Sequence, residues 1–241
     1  MKKLFKYIRI ISLSLLTIVL LLIVGLYVYT YNSYGPIDAM YEAIKTVEET
    51  NVVRKNAFDH ISFSVENPKN HLIIIPGGKV KPESYMYLAL KLANEGYDVT
   101  IVKTLFNLAI LTPNYGAKFI RDDMDNVVIG HSLGGTVASM FSSKDEAVTK
   151  LIFLASYPLK DVRDKKALLI LGQNDLILNK KALQESIEKL PDDYQTIEIA
   201  GGNHSGFGFY GQQKGDGPMR ITILEQQNLV VYHIIEFIET S

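Results

Sequence analysis

Apolar residues are distributed along the N-terminal part of the chain in three different ways. Ile10–Tyr29 is a run without a charged side chain, long enough for a helix that crosses a membrane. From Ile37 to Thr50 the apolar residues recur at helical spacing, which predicts a helix with one buried face. Val52–Val53 and Ile61–Val65 then predict two short strands, which could pair as a hairpin.

Beyond residue 70 the apolar residues form continuous runs, which are typical of strands buried on both faces. His71–Ile75 is the first run, and a helix that carries apolar residues on one face from Tyr85 to Leu92 follows it. Further strands are predicted at Tyr97–Val102, Asn126–Ile129, Lys150–Ala155, Ala167–Leu171 and Thr196–Ile199. Helices are predicted at about Pro113–Arg121, Leu133–Ser143, Lys180–Leu190 and Ile221–Glu239. This alternation predicts an α/β fold with a mostly parallel central sheet and helices on both faces.

The apolar N-terminal run predicts an uncleaved membrane anchor over residues 10–30. Twenty helical residues span roughly 30 Å, the thickness of the hydrocarbon layer. A cleavable signal peptide is the alternative, but its apolar region is usually shorter, and Gly25–Tyr31 offers no small-x-small cleavage site. Basic residues precede the run at Lys2, Lys3, Lys6 and Arg9, and none follows until Lys45. Because basic flanks stay in the cytoplasm, we expect a single-pass plasma-membrane protein whose remaining chain is extracellular.

Composition narrows the class of the remaining chain. The anchor leaves enough of the 241 residues for one domain, and we expect a basic flank at 1–9, the anchor at 10–30, a juxtamembrane linker and helix at 31–57, and the domain at 58–241. Beyond the basic flank the chain carries 21 basic and 26 acidic residues, so nothing indicates nucleic-acid binding. The absence of cysteine excludes a thiol nucleophile, and no histidine spacing indicates a metal; we expect neither metal nor cofactor.

One motif carries chemistry. Residues Gly130–Gly134 fit G-x-S-x-G, with a predicted strand before them and a predicted helix after them. This context is that of a nucleophile elbow, in which a strained turn exposes the hydroxyl of Ser132 and only glycine fits two positions either side. A tight glycine turn without catalysis is the alternative.

A serine nucleophile needs a base and an orienting acid. His204 lies in a loop after the last predicted strand, whereas His60 and His71 lie at strand edges and His233 lies on the last helix. His131 lies inside the elbow, and we expect its side chain to point away from the base. Asp175 directly follows a predicted strand, where catalytic groups of parallel sheets gather. The order Ser132, Asp175, His204 is that of alpha/beta hydrolases; the alternative is that Asp175 and His204 are ordinary polar loop residues.

Backbone N–H donors must hold the oxyanion of such a reaction. Leu133, the residue after the serine, is one candidate, and Gly78 in the turn after His71–Ile75 is the other. A simple turn at Gly78 is the alternative.

The chain resembles the alpha/beta-hydrolase superfamily, most closely a bacterial, membrane-anchored group related to the dienelactone hydrolases and sometimes called alpha/beta hydrolase family 5. The resemblance runs from about Ala39 to the C-terminus and lies in residues 76–80, 83–85, 106–110, 130–135 and 213–218. It implies Ser132 as nucleophile, Asp175 as acid and His204 as base. Dienelactone hydrolases carry cysteine at the elbow, so their lactone substrate is not implied.

The resemblance also directs attention to the walls of the site. Many alpha/beta hydrolases insert a lid domain between the strand after the elbow and the strand before the acid, but here only Ser156–Lys166 fills that gap. Phe106 and Asn107, or Phe207, Phe209 and Tyr210, are candidates for the substrate pocket, and they are equally suited to the core.

These residues predict hydrolysis of a small-molecule carboxylic ester or thioester through an acyl-enzyme on Ser132. Acyl transfer to a cell-envelope acceptor is an alternative, because water and an acceptor hydroxyl compete for the same intermediate. A non-catalytic surface-binding module on the same fold is the other alternative.

Overall fold

The computed structural model describes residues 2–47 and 51–241. The chain divides between Ser33 and Tyr34 into two compact units. The first contains helix α1, Lys2–Tyr31, of which Lys3–Tyr31 is long and apolar enough to cross a bilayer. Large apolar side chains along this helix are exposed, and such a helix has no polar face to turn toward water. Helix α1 is therefore a candidate membrane span, at the place where the sequence predicts an anchor.

A single twisted sheet organises the second unit. Within the described residues its strands are β1 (Val53–Asn56), β2 (His60–Ser64), β3 (His71–Ile75), β4 (Asp98–Val102), β5 (Asn126–His131), β6 (Val148–Leu154), β7 (Lys166–Gly172) and β8 (Gln195–Ile199). Their order is β1-β2-β4-β3-β5-β6-β7-β8. Strand β2 pairs antiparallel with β1 and β4, and the strands from β4 to β8 are parallel. The predicted hairpin and the mostly parallel sheet are both confirmed.

The helices of the second unit cover both faces of the sheet. They are α2 (Asp38–Lys45), α3 (Met86–Asn94), α4 (Leu133–Ser142), α5 (Lys180–Ser186) and α6 (Ile223–Thr240). Residues of α2, α3 and α6 belong to one hydrophobic cluster, and residues of α4 and α5 belong to a second. The helix predicted from Ile37 ends at Lys45, and residues 48–50 of that prediction lie outside the described residues.

Strand β3 shows why its sequence is continuously apolar. Leu72 and Ile74 belong to the first hydrophobic cluster, whereas Ile73 and Ile75 belong to the second. Successive side chains of a strand point to opposite faces, so a strand covered on both faces needs apolar residues at every position.

The prediction of a helix at Pro113–Arg121 is wrong. This segment contains only a short 3-10 turn, Tyr115–Phe119, and the preceding residues also form 3-10 turns. The backbone of Gly116 lies so close to α4 that a Cβ atom there would be 2.6 Å from the ring of Phe141. Tertiary packing of this loop against α4 therefore overrides the local apolar spacing.

The topology places a crevice at the carboxyl ends of β3 and β5. From β3 the chain crosses to β4 on one side and then to β5 on the other, so the strand order reverses between β3 and β5. Ligands of open parallel sheets bind at such a switch point. The turn after β3 contains Gly77 and Gly78, and the turn after β5 contains Ser132.

Candidate active site

Ser132 stands on a sharp turn between β5 and α4. Its backbone has φ 51° and ψ −124°, a conformation that is costly for a residue with a side chain. The flanking glycines make this turn possible, because a Cβ atom at Gly130 would lie 2.3 Å from the Cα atom of Gly135. One at Gly134 would lie 2.2 Å from the carbonyl oxygen of Ile75. The turn thus has the geometry of a nucleophile elbow.

Strand β6 and its following loop hold this elbow from the other side. The N–H of Ser132 donates to the carbonyl oxygen of Leu154 at 2.9 Å. The hydroxyl of Ser156 donates to the carbonyl oxygen of Ser132 at 2.5 Å. The strained conformation is therefore fixed by neighbours on both sides in space as well as by the glycines.

Asp175 and His204 form a buried pair. Oδ2 of Asp175 lies 2.8 Å from Nδ1 of His204. The other carboxylate oxygen, Oδ1, accepts the N–H groups of Ile177 and Leu178, each at 2.8 Å. Because both oxygens are engaged, the carboxylate is held in place and directs the Nδ1 edge of the imidazole toward itself.

Ser132 and His204 line one cleft of about 370 Å³. Within residues 2–47 and 51–241, neither the Ser132 hydroxyl nor Nε2 of His204 has a hydrogen-bond partner. Both groups are thus free to bond to each other and to a substrate. Their separation before substrate binds is not unusual, because catalytic hydrogen bonds are often long in the free enzyme. The structure brings all three sequence-predicted triad members to the same edge of the sheet.

The two predicted oxyanion donors are neighbours. A Cβ atom at Gly78 would lie 3.1 Å from Cδ2 of Leu133. Leu133 is the first residue of α4, so its N–H has no acceptor within the helix. The N–H of Gly77 is not available, because it donates to the hydroxyl of Tyr85 at 2.9 Å. Of the two glycine N–H groups in this turn, that of Gly78 is therefore the better candidate for an oxyanion donor.

The walls of the cleft are not the predicted aromatic residues. Its aliphatic lining consists of Ile110, Leu133, Ala155, Leu159, Ile177 and Leu178. Phe207 and Phe209 are fully buried in the first hydrophobic cluster, together with Tyr210, because their loop folds back over α3 and α6. Phe106 lines a separate depression with Phe58 and Tyr115. Asn107 instead supports the turn after β3, since its carbonyl oxygen accepts the N–H of Lys79 at 2.8 Å.

The segment between β6 and β7 contains no helix or strand. Three of its residues, Ser156, Tyr157 and Leu159, line the cleft directly. No lid domain is inserted there, as the sequence predicts.

His131 differs from its prediction. Instead of pointing away from the base, its ring packs against the ring of His204, with centroids 4.9 Å apart. Nδ1 of His131 lies 2.7 Å from the hydroxyl oxygen of Tyr85. Burial, and then the charge that His204 can carry, hold the pKa of His131 well below its ordinary value. The prediction failed because it considered only the strand, whereas the loop of His204 folds over this face of the elbow.

Asp216 organises the His204 loop and was not predicted. Its Oδ2 accepts both the N–H of Ser205 at 2.8 Å and the hydroxyl of Ser205 at 2.9 Å. Its Oδ1 accepts the N–H of Gly217 at 2.8 Å. A Cβ atom at Gly217 would lie 1.9 Å from the carbonyl oxygen of Asn174, which directly precedes the acid. Residues 213–218 therefore pack the loop of His204 against the loop of Asp175.

Two glutamines of α6 complete this support. Gln226 accepts the N–H of Asn203 at 3.1 Å and donates to its carbonyl oxygen at 2.9 Å. Gln227 donates to the carbonyl oxygen of Gly206 at 2.7 Å. Both glutamines are buried, and polar residues on the buried face of a predicted helix were the available signal for this role.

Residues that ligate metals do not converge. In the part of the chain that the structure describes, no group of three or more His, Asp or Glu side chains is arranged to hold a metal ion.

Comparisons with known proteins agree with this geometry. The profile of the Alpha/beta hydrolase family matches residues 71–228. A search of curated proteins found no match. Among solved structures, a dienelactone hydrolase from Anabaena variabilis is 14% identical, with a TM-score of 0.56 over 78% of this chain and 99% of that one. Alpha/beta hydrolase domain-containing protein 10 from mouse is 14% identical, with a TM-score of 0.55 over 79% and 99%. A ferulic acid esterase from Streptomyces cinnamoneus is 17% identical, with a TM-score of 0.58 over 70% and 66%.

At these identities the solved structures show a shared fold. The family match spans β3 and the turn after it, the turn at Ser132, and the loops that carry Asp175 and His204. Because this match covers more than half of the sequence, the chain belongs to the Alpha/beta hydrolase family.

Proposed function

We propose that this protein is a serine hydrolase that cleaves carboxylic esters or thioesters through an acyl-enzyme on Ser132. The observation that carries the proposal is the position of Ser132 on a strained elbow, in one cleft with a histidine that is paired to a buried aspartate. A hydroxyl is a weak nucleophile at neutral pH, and this arrangement supplies the base and the orienting acid that it lacks.

The reaction follows from the positions of these groups. Oγ of Ser132 attacks the carbonyl carbon while Nε2 of His204 takes the serine proton, and Asp175 stabilises the resulting imidazolium through Nδ1. The N–H groups of Leu133 and Gly78 hold the oxyanion. The bond to the leaving alcohol or thiol then breaks as His204 returns the proton to it. Water, activated by the same histidine, attacks the acyl-serine and releases the carboxylic acid.

The lining of the cleft favours an uncharged acyl group. Among the described residues that line it there is no Lys, Arg, Asp or Glu, and half of the lining residues are aliphatic. Burying a charged substrate group without a partner is costly, so apolar acyl chains suit this site better than charged ones. One protein of similar fold, the ferulic acid esterase, is named as an esterase, which supports the same class of reaction.

Helix α1 supports a location at the membrane. We infer that residues 10–30 anchor the enzyme in the plasma membrane, with the N-terminus in the cytoplasm and the catalytic domain outside the cell. This domain begins before residue 58, since α2 and β1 belong to its core and sheet. The exposed apolar surface of α1 and the four basic residues that precede its apolar run favour this orientation.

Covalent labelling tests the proposed function. The full chain in detergent is treated with a fluorophosphonate, and the modified residue is located by mass spectrometry. We expect a phosphonyl group on Ser132 and hydrolysis of p-nitrophenyl acyl esters, both abolished by Ser132→Ala. The matched control is Ser143→Ala at the end of α4, which removes a serine hydroxyl outside the cleft. A folded Ser132→Ala protein with more than a tenth of the wild-type activity contradicts the proposal.

A further inference from the structure

Buried contacts connect three loops of the candidate active site through one tyrosine. The N–H of Gly77, next to the oxyanion candidate Gly78, donates to the hydroxyl oxygen of Tyr85 at 2.9 Å. The same hydroxyl lies 2.7 Å from Nδ1 of His131, the residue before Ser132. The ring of His131 then packs on His204 with centroids 4.9 Å apart. Tyr85 is fully buried just before α3, and it belongs to none of these loops.

The hydrogen bonds determine which tautomer His131 adopts. A tyrosine hydroxyl has one proton to donate, and the oxygen of Tyr85 already accepts the N–H of Gly77. Nδ1 of His131 is the acceptor within reach, so it carries no hydrogen and the ring proton is on Nε2. In the described part of the chain buried Nε2 has no partner at full hydrogen-bond geometry. The ring contacts His204 by packing on its imidazole and by a weaker approach to its backbone, which acts to raise the pKa of His131 against the larger effect of burial.

The surroundings keep this unit neutral. His131 is enclosed by the rings of Tyr85, His204, Phe207 and Tyr210, at centroid distances from 4.9 to 6.1 Å. The nearby carboxylates bond to other groups and not to His131, since Asp175 pairs with His204 and Asp216 accepts hydrogen bonds from the 204–217 loop. Burial raises the pKa of Tyr85 far above its ordinary value, so its hydroxyl stays a donor at physiological pH.

We propose that Tyr85 is a positioning residue of the active site, acting on the base through His131 and on the oxyanion donor through Gly77. Loss of its hydroxyl removes the donor that fixes the tautomer of His131 and the acceptor that holds the turn at Gly77 and Gly78. Both changes loosen groups that must be placed closely for the transition state, while the cleft that binds substrate is unaltered.

This proposal rests on the proposed function, and labelling rates separate the two. The rate of fluorophosphonate labelling is measured for the full chain, for Tyr85→Phe and for the control Tyr87→Phe. Tyr87 is buried in α3, two residues after Tyr85, and donates to Oδ1 of Asn228 at 2.7 Å, so its variant loses a comparable hydroxyl outside the cleft. We expect Tyr85→Phe to lower the labelling rate and kcat by about 10- to 100-fold, with KM changed by less than about two-fold. Tyr87→Phe leaves both rates unchanged.

Two different results have two different meanings. Wild-type protein that is never labelled contradicts the proposed function. Wild-type protein that is labelled, with a folded Tyr85→Phe variant labelled equally fast or with the loss confined to KM, overturns the role of Tyr85.

A spectroscopic measurement on the wild-type protein decides the case if Tyr85→Phe does not fold. Long-range ¹H–¹⁵N spectra of histidine-labelled protein report which nitrogen of His131 carries the proton. We expect a bare Nδ1 and a protonated Nε2 that persist from pH 8 to pH 5. A proton on Nδ1, or a ring that titrates in this range, overturns the proposal.

Discussion

Asp175 Oδ2 lies 2.8 Å from Nδ1 of His204, although the two residues are 29 positions apart in the chain. Both side chains are almost completely buried, with 1% and 2% of their surfaces exposed. A buried carboxylate is tolerated only when it is well paired, and this one accepts two backbone N–H groups in addition to the imidazole. The orientation of the imidazole is thus fixed by the protein itself, as the proposed role of His204 as the base requires.

Substitutions of Asp175 and His204 test their proposed roles as acid and base. We expect Asp175→Asn to lower kcat by about 10⁴-fold, because the imidazole loses its charge-stabilising partner, and His204→Ala to lower it at least as much. The double variant is expected to be little worse than His204→Ala alone, since members of a triad act as a unit. Values of kcat on one activated ester check this. The exposed pair of Asp161 with Arg163 supplies the control, Asp161→Asn, which keeps wild-type kcat. Defects that multiply would show that Asp175 and His204 act separately.

The oxyanion turn can be tested by adding one methyl group. In Gly78→Ala the new Cβ atom lies 3.1 Å from Cδ2 of Leu133 and 3.5 Å from its Cβ atom, so the side chain of Leu133 must shift away from the turn. We expect kcat to fall by about 10- to 100-fold with little change in KM, because the oxyanion exists only in the reaction. Gly35→Ala is the control, since its methyl group meets only the flexible side chain of Lys81 at 3.3 Å. Unchanged kcat in Gly78→Ala would exclude this turn from the oxyanion hole.

Asp216→Asn is expected to weaken both folding and catalysis. An amide group cannot accept hydrogen bonds at both of its ends, so one of the N–H groups of Ser205 and Gly217 loses its partner. The expected loss is about 1–3 kcal/mol of unfolding free energy, together with a lower kcat as the His204 loop loosens. Thermal unfolding followed by circular dichroism and steady-state kinetics measure the two effects. Asp193→Asn, which removes an exposed pair with Lys166, should alter neither by a comparable amount.

Acid is expected to destabilise the fold already below pH 6.5, through two buried histidines. Burial lowers the pKa of His71 below 6.5, and the same cause acts more strongly on His131. Between its folded pKa and pH 6.5 each histidine is neutral when folded but protonated when unfolded, so stability falls as pH falls through this window. The slope is at most about 1.4 kcal/mol per pH unit for each histidine. Carboxylates with lowered pKa, such as Asp161 and Glu225, add to this only near and below their ordinary values of 3.8 and 4.5.

Unfolding temperatures between pH 8 and pH 5 measure this effect. His71→Gln should flatten the dependence, because the neutral amide can still bond to Asn126 or Thr100 but does not titrate. His233→Gln, at the surface beside Glu236, is the matched control. If His71→Gln keeps the wild-type slope, the pH dependence of stability arises from other groups than His71.

The membrane assignment makes two separable predictions. Intact cells treated with an external protease should lose the catalytic domain, because the basic flank holds the N-terminus inside. Protein purified from the membrane fraction should begin at its original N-terminus. Protection from the protease would reverse the orientation, whereas a mature N-terminus near Asn32 would identify residues 10–30 as a cleaved signal.

Local patterns in the sequence were sufficient to predict the sheet and the elbow. A strand covered on both faces must be apolar at every position. Each buried parallel strand, such as β3, can therefore be predicted from its own short stretch of sequence. The elbow is also local, since Gly130, Gly134 and the strand and helix around them lie within a short stretch. The predicted positions of Asp175 and His204 follow from a general rule, because loops at the carboxyl ends of parallel strands meet at one edge.

Tertiary structure alone decided what surrounds these groups. Tyr85 meets His131 across 46 positions of chain, and Asn203 meets Gln226 across 23, so no short-range periodicity encodes either contact. From the sequence, Phe207 and Phe209 were equally suited to line the cleft or to pack in the core. They lie in the core because their loop folds over α3 and α6. Local sequence sets which backbone conformations are favourable, but packing between distant segments determines where a side chain points and which groups share a buried space.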